Sequence, residues 1–146
     1  MPATSNHYRE ASMLLVDDDD VDVMGINRAL KKLGIGNPVV RAHDGQEALT
    51  MLRTPGLLHR PYLIILDINM PRMNGLEMLA ELRNDPLLTR AVVFVLTTSK
   101  SDEDKMAAYA QHIAGYIVKT QVGDGFSGII NMLDHYWRIV DLPLLA

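Results

Sequence analysis

The sequence has no cysteine, no long apolar run and no run of basic residues. Without cysteine, disulfide scaffolds, thiolate zinc sites and thiol catalysis are excluded, and a reducing compartment is compatible with the chain. The longest apolar stretches, Tyr62 to Leu66 and Ala91 to Leu96, are too short to cross a bilayer, and residues 1–10 lack the apolar segment of a signal peptide. We therefore expect a soluble, cytoplasmic protein with no membrane partner.

The balance of charge also excludes one class of partner. Lysine and arginine number 14 against 18 aspartates and glutamates, giving a net charge of -4. Because binding to a phosphate backbone depends on clustered basic side chains, we expect no nucleic-acid partner. A chain of 146 residues buries roughly 70% of its unfolded surface, which is enough for one domain without disulfides or a structural metal.

Five short apolar runs alternate with longer segments whose apolar residues recur at helical spacing. Most of these runs are continuously apolar, as in strands that are covered on both faces. The pattern predicts an α/β fold, a doubly wound five-stranded parallel sheet with helices on both faces and functional residues at the carboxyl ends of the strands. The predicted strands are Met13 to Val16, Val39 to Ala42, Tyr62 to Leu66, Val92 to Leu96 and Gly115 to Val118.

Polar side chains that could bind an ion or take part in a reaction lie at the ends of four of the predicted strands. Asp17 and Asp18 follow the first strand and Asp67 follows the third. Thr97 ends the fourth strand, and Lys119 follows the fifth. Because the carboxyl ends of parallel strands meet at one edge, the sequence predicts that three carboxylates, a hydroxyl and an ammonium converge there.

Closely spaced carboxylates repel one another unless a cation lies among them. Mg²⁺ prefers oxygen ligands and takes only a few of them from the protein, so the sequence predicts a magnesium site at Asp17, Asp18 and Asp67. For Asp19, Asp20 and Asp22 the sequence leaves two interpretations open. They could belong to the same acidic site, or they could form a solvated turn that caps the helix that follows.

The same residues suit phosphoryl chemistry. A carboxylate such as Asp67 forms an aspartyl phosphate when it attacks phosphorus. The Lys119 ammonium could then pair with the transferred group, and the Thr97 hydroxyl could donate a hydrogen bond to another of its oxygens.

These motifs, in this order and spacing, closely resemble the receiver domain of two-component response regulators over residues 11–140. The motifs are Leu15 to Asp18, Leu66 to Pro71, Asn74 with Gly75, Leu96 with Thr97, and Gly115 to Lys119. The resemblance implies a flavodoxin-like fold in which Asp67 is the phosphoacceptor and Asp17 and Asp18 hold Mg²⁺. It further implies that Asn69 adds its backbone carbonyl to the metal. Thr97 and Lys119 would contact the phosphoryl group, and Tyr116 would be the switch aromatic.

Two points of the resemblance carry alternatives. Tyr116 could instead be a half-buried strand aromatic without a switching role. The family normally has a proline after its lysine, commonly with a cis bond, whereas this chain has Thr120. A cis bond before a residue other than proline costs about 3 kcal/mol, so we expect a trans peptide between Lys119 and Thr120.

The ends of the chain bear on how a signal would leave the domain. We expect a flexible extension over residues 1–10 and an apolar tail over residues 141–146, with no room for an output domain. The ending from Tyr136 to Pro143 is similar to regulators paired with phytochrome kinases. A homodimer through the last helix and the tail is therefore one expectation, and a tail folded back onto its own domain is the other.

The resemblance thus predicts a single-domain response regulator that accepts a phosphoryl group on Asp67 from a sensor histidine kinase. The similarity of the ending suggests a phytochrome kinase as that donor. The regulator would signal through a changed protein-binding or dimer surface and would not be an enzyme, apart from self-dephosphorylation. The alternative is a phosphorylation-independent dimeric adaptor with the same fold. A phosphatase of the haloacid-dehalogenase type would have a second acid where this chain has Asn69, and the glycines from Gly123 to Gly128 lack the strand that a dinucleotide site requires.

Overall fold

The computed structural model describes residues 11–58, 61–70, 72–121 and 125–143. The expected extension over residues 1–10 and the last three residues of the apolar tail lie outside this part of the chain. Within it, strands and α-helices alternate, with one 3₁₀ turn before the last helix. The elements are β1 Ser12–Val16, α1 Asp20–Lys32, β2 Val39–Ala42, α2 Gly45–Leu52, β3 Tyr62–Leu66, α3 Gly75–Asn84, β4 Val92–Thr97, α4 Asp102–Ala110, β5 Gly115–Val118, the 3₁₀ turn Lys119–Gln121 and α5 Ser127–Ile139.

The strands form one parallel sheet in the order β2-β1-β3-β4-β5. This confirms the predicted doubly wound, flavodoxin-like architecture, and the predicted strand bounds agree with the structure to within one residue. The order reverses between β1 and β3, which is where ligands bind in open sheets of this kind. No helix in the described ranges is long and apolar enough to cross a membrane.

The hydrophobic core lies on both faces of the sheet. Leu14 and Val16 of β1 pack toward α2 and α3, whereas Met13 and Leu15 pack toward α1 and α5. Alternate residues of one strand therefore enter two separate clusters, which explains why the strand sequence is apolar without interruption. Packing on both faces therefore holds the sheet in place and fixes where each strand ends.

The carboxyl-terminal segment packs partly on its own domain. Trp137 and Leu142 are buried in the cluster beneath α1 and α5, and Val140 packs against that cluster. The apolar surface of Trp137 and Leu142 is therefore used within the chain, as in the alternative of a tail folded back onto its own domain. Ile139 is 77% exposed, and a dimer through the last helix stays a prediction.

Arg83 of α3 joins two loops at the edge of the domain opposite to the carboxyl ends of the strands. Its guanidinium donates hydrogen bonds to the backbone carbonyls of Gln111 at 2.6 Å, Ala91 at 2.7 Å, Thr89 at 2.8 Å and His112 at 3.0 Å. A planar guanidinium with several N–H groups can satisfy acceptors from two loops at once, which a lysine ammonium cannot do in the same geometry.

We expect Arg83→Met to lower the free energy of unfolding by about 2 kcal/mol, because four carbonyls lose a charged donor while some of them regain water. Urea denaturation measures this loss. Arg90→Met is the control, since Arg90 is exposed, and an Arg83→Met variant as stable as this control would contradict the assignment.

Candidate functional site

Three carboxylates meet where the sheet order reverses. Asp17 directly follows β1 and Asp67 directly follows β3, and the hydrogen bond from the Asp67 N–H to the Val16 carbonyl, 2.9 Å, continues the ladder between the two strands. One carboxylate oxygen from each of Asp17, Asp18 and Asp67 lies within 4.8 Å of the other two. Asp17 and Asp67 are buried and Asp18 is exposed, so the group opens to solvent on one side.

Lys119 enters the same pocket from the end of β5. Its Nζ donates to Asp17 Oδ2 at 2.8 Å and to Asp67 Oδ2 at 3.2 Å. A third bond reaches Asp22 Oδ2 at 2.7 Å. The side chain is only 7% exposed, so the pocket holds an almost fully buried ammonium among carboxylates.

Asp22 is the site residue that sequence reasoning missed as a partner of Lys119. It lies in the first turn of α1, where helix capping was the competing interpretation. Capping belongs to Asp19, whose Oδ1 accepts from the Val21 and Asp22 N–H groups. The spacing could have indicated that Asp22 faces the sheet. Asp22 precedes the apolar Ile26, which is fully buried, by four residues, and residues four apart lie on the same helix face.

Burial and charge act in opposite directions on the two buried groups. Burial raises the pKa of the Asp17 carboxyl, and the hydrogen bond from Lys119 offsets part of this effect. Burial alone would lower the pKa of the Lys119 ammonium, but the hydrogen bonds to Asp17 and Asp22 outweigh it and raise the pKa above its ordinary value. Lys119 is therefore charged at neutral pH.

One ammonium does not neutralise the carboxylates that surround it. With Asp17, Asp18, Asp22 and Asp67 ionised, the pocket carries a formal charge of -3, from four negative groups and one positive group. A hard divalent cation matches both this excess charge and the oxygen donors. The residues present therefore fit a divalent metal.

Local turns orient the two buried carboxylates. Asp17 Oδ1 accepts from the Asp19 N–H at 2.9 Å, and Asp67 Oδ1 accepts from the Asn69 N–H at 3.0 Å. In each residue Oδ2 is the oxygen that faces Lys119. Asn69 thus lies where the sequence placed it, and the metal-binding role of its carbonyl stays a prediction.

Thr97 and Tyr116 meet at the loop that follows β4. The buried Thr97 Oγ1 accepts from the Ser99 N–H at 3.3 Å, and the Tyr116 hydroxyl donates to the Ser99 carbonyl at 3.0 Å. The Ser99 hydroxyl in turn donates to Asp104 of α4 at 2.7 Å. The loop therefore links the site edge, β5 and α4, which the sequence alone did not reveal. Thr120 lies exposed in the 3₁₀ turn.

The loop after Asp67 is held by close contacts at both ends. A Cβ placed on Gly75 would lie 2.6 Å from the Asp67 carbonyl oxygen and 2.6 Å from the Ile68 Cα, so only glycine fits there. Within the same loop, Arg72 has a φ of 60°, and its guanidinium donates a hydrogen bond to the carboxylate of the buried Asp44. The Glu47 N–H and the Arg72 charge lower the pKa of the Asp44 carboxyl.

Comparison with known proteins decides the family. A family model described as the response regulator receiver domain matches residues 13–126. The chain belongs to the response regulator receiver family. The resemblance predicted from the sequence is thereby confirmed, and receiver domains bind a divalent metal at their acidic pocket.

The relatives include phytochrome-associated response regulators. Response regulator Rcp1 of Synechocystis sp. is 33% identical over 135 residues, covering 90% of this chain and 92% of Rcp1. The structure of the phosphorylated cyanobacterial phytochrome response regulator RcpA is 33% identical, with a TM-score of 0.80 over 92% of this chain and 99% of that one. The Mn²⁺-bound form of Rcp1 is 33% identical, with a TM-score of 0.79 over 91% and 99% of the two chains.

Proposed function

We propose that this receiver domain accepts a phosphoryl group on Asp67 from the phosphohistidine of a sensor histidine kinase. The observation that carries the proposal is the pocket itself, in which the Asp67 carboxylate lies beside two further carboxylates and 3.2 Å from the Lys119 ammonium. The similarity to Rcp1 and to the phytochrome response regulator RcpA supports a phytochrome-type kinase as the donor.

In the transfer, a carboxylate oxygen of Asp67 attacks phosphorus. An O–P bond forms as the P–N bond to the kinase histidine breaks, and the leaving imidazole keeps the electron pair of that bond. Asp67 suits this role because its contact with Lys119 is longer than those of Asp17 and Asp22, so its Oδ2 is the least tightly held.

Two side chains of the pocket would stabilise the transferred group. The Lys119 ammonium is buried and charged, so it would pair with a phosphoryl oxygen in surroundings that screen charge poorly. Thr97 Oγ1 accepts its hydrogen bond from Ser99, which leaves the hydroxyl proton of Thr97 free to be donated to another phosphoryl oxygen.

Asp17, Asp18, Asp67 and the Asn69 carbonyl would hold Mg²⁺, since three carboxylate oxygens already lie within 4.8 Å of one another. When bound, the ion supplies positive charge that reduces repulsion between the carboxylate and the incoming phosphoryl group. The chain itself would contribute no further chemistry beyond the hydrolysis of its own acyl phosphate, so it would act as a signalling protein and not as an enzyme on small molecules.

The signal would leave through the loop after β4. When Thr97 turns its hydroxyl toward the phosphoryl group, the Ser99 backbone changes its partners, and Tyr116 and Asp104 move with it. This shifts the population between two packings of the face formed by α4, β5 and α5. A changed affinity for a partner protein or for a second copy of the chain, in the cytoplasm, would be the output.

The proposal is tested by incubating the protein with acetyl phosphate, and separately with autophosphorylated phytochrome-type kinases, with Mg²⁺ or with a chelator. We expect intact mass spectrometry to show one added phosphoryl group per chain with Mg²⁺ and none with the chelator, because the negatively charged pocket repels an anion when it holds no metal ion. Equal incorporation in the chelator, or sustained turnover of small phosphoesters, would contradict the proposal.

The alternative adaptor function is tested in the same samples. Beryllofluoride with Mg²⁺ serves as a stable mimic of the phosphoryl group, and light scattering reports the oligomeric state. We expect a shift in dimerisation or in partner binding upon its addition. No change in either property, with the fold intact, would favour a phosphorylation-independent adaptor.

A further inference from the structure

We propose that Asp22 is a positioning residue for Lys119 and thereby sets how well the pocket stabilises a phosphoryl group. This inference rests on the proposed function. Its starting point is the bond from Lys119 Nζ to Asp22 Oδ2, at 2.7 Å the shortest of the three hydrogen bonds that the ammonium makes to described residues.

The backbone of Asp22 is fixed well enough for this role. Its N–H is held by the cap residue Asp19, and one helical turn further along α1 the side chain of Ile26 is fully buried against the sheet. The Asp22 side chain is 22% exposed, so its carboxylate lies at the border of the pocket and not in open solvent. The amino-terminal end of the helix also favours a negative charge there.

Lys119 has need of such a partner. Its side chain is a flexible stem of four carbons. The residue after it is Thr120, whose backbone lacks the fixed φ that a proline imposes. Asp17 and Asp67 pull the ammonium from the strand ends, and Asp22 pulls it from α1. Three acceptors from three elements therefore determine the position of Nζ.

Asp22 stands apart from the metal-holding group. Among the described residues, the group of three carboxylates whose oxygens all lie within 4.8 Å of one another is Asp17, Asp18 and Asp67, and Asp22 does not belong to it. Removal of Asp22 leaves these three metal-holding carboxylates in place and takes away one of the four negative charges, so it should weaken metal binding far less than it loosens Lys119. That separation distinguishes a positioning role from a general electrostatic one.

The experiment compares wild type, Asp22→Ala and Asp22→Asn in the full chain. Asp20→Ala is the matched control, because Asp20 lies in the same helical turn but pairs with Arg41 and is 79% exposed. We expect both Asp22 variants to bind beryllofluoride with Mg²⁺ about tenfold more weakly, the loss that one misplaced charge-assisted hydrogen bond produces. The affinity of the Asp22 variants for Mg²⁺ alone, measured by calorimetry, should stay within about twofold of wild type. Both affinities of Asp20→Ala, for Mg²⁺ and for beryllofluoride with Mg²⁺, should also stay within about twofold.

A second readout is independent of phosphorylation. The ε-methylene signal of Lys119 in a ¹H–¹³C NMR spectrum should report an ordered side chain in wild type and in Asp20→Ala, and a mobile one in the Asp22 variants. If Lys119 is equally ordered in all four proteins, the inference is overturned. If the Asp22 variants lose this order but wild type accepts no phosphoryl group, the proposed function fails while the positioning of Lys119 stands.

Discussion

Asp67→Asn is expected to abolish phosphoryl incorporation, both from a phosphorylated kinase and from acetyl phosphate, to below about 1% of wild type. An amide oxygen lacks the charge that a carboxylate brings to phosphorus, and no acyl phosphate can form from it without loss of the amide. Intact mass spectrometry and transfer of radiolabel both measure the effect.

The substitution should leave the fold in place, so that the loss is chemical. An asparagine oxygen can still accept the Asn69 N–H that now binds Asp67 Oδ1, and the change removes one of four negative charges around Lys119. Asp102→Asn is the matched control, because the Asp102 side chain is 90% exposed on α4. Stoichiometric label on the Asp67→Asn protein would show that another residue is the acceptor.

Much of this pocket could be predicted because its main residues are tied to the strand ends. Asp17 and Asp67 follow continuous apolar runs, and short runs of this kind are typical of strands in a parallel sheet covered on both faces. Neighbouring parallel strands then bring their carboxyl ends together whatever the loops do. The placement of Lys119 followed from the same reasoning, since it directly follows β5.

The parts that could not be predicted depend on side-chain direction and on contacts between loops. The pair of Asp22 and Lys119 joins residues 97 positions apart, and the pair of Arg72 and Asp44 joins residues 28 apart. Neither pairing follows from local periodicity, because each depends on how a helix start or a loop sits against its neighbour. The apolar ending left two alternatives open for the same reason, since composition does not tell whether Leu142 packs within the chain or on a partner.

Gly75→Ala is expected to destabilise the protein by about 3 kcal/mol, because the new methyl group has no space. Its Cβ would lie 2.6 Å from both the Asp67 carbonyl oxygen and the Ile68 Cα. Both neighbours are backbone atoms of the loop that carries the acceptor, so they cannot rotate away as a side chain could. Urea denaturation measures the loss of stability, and calorimetry should show weaker Mg²⁺ binding in the same variant.

Gly128→Ala provides the matched comparison, since a Cβ at this glycine of α5 would meet nothing within 4 Å. There the same substitution should be neutral or stabilise the protein by up to about 1 kcal/mol, because alanine restricts the unfolded chain and favours a helix. Opposite signs at the two glycines would show that contact with the Asp67 backbone sets the cost at position 75. Equal changes at both would mean that helix propensity dominates, and that α3 does not hold the acceptor loop in place.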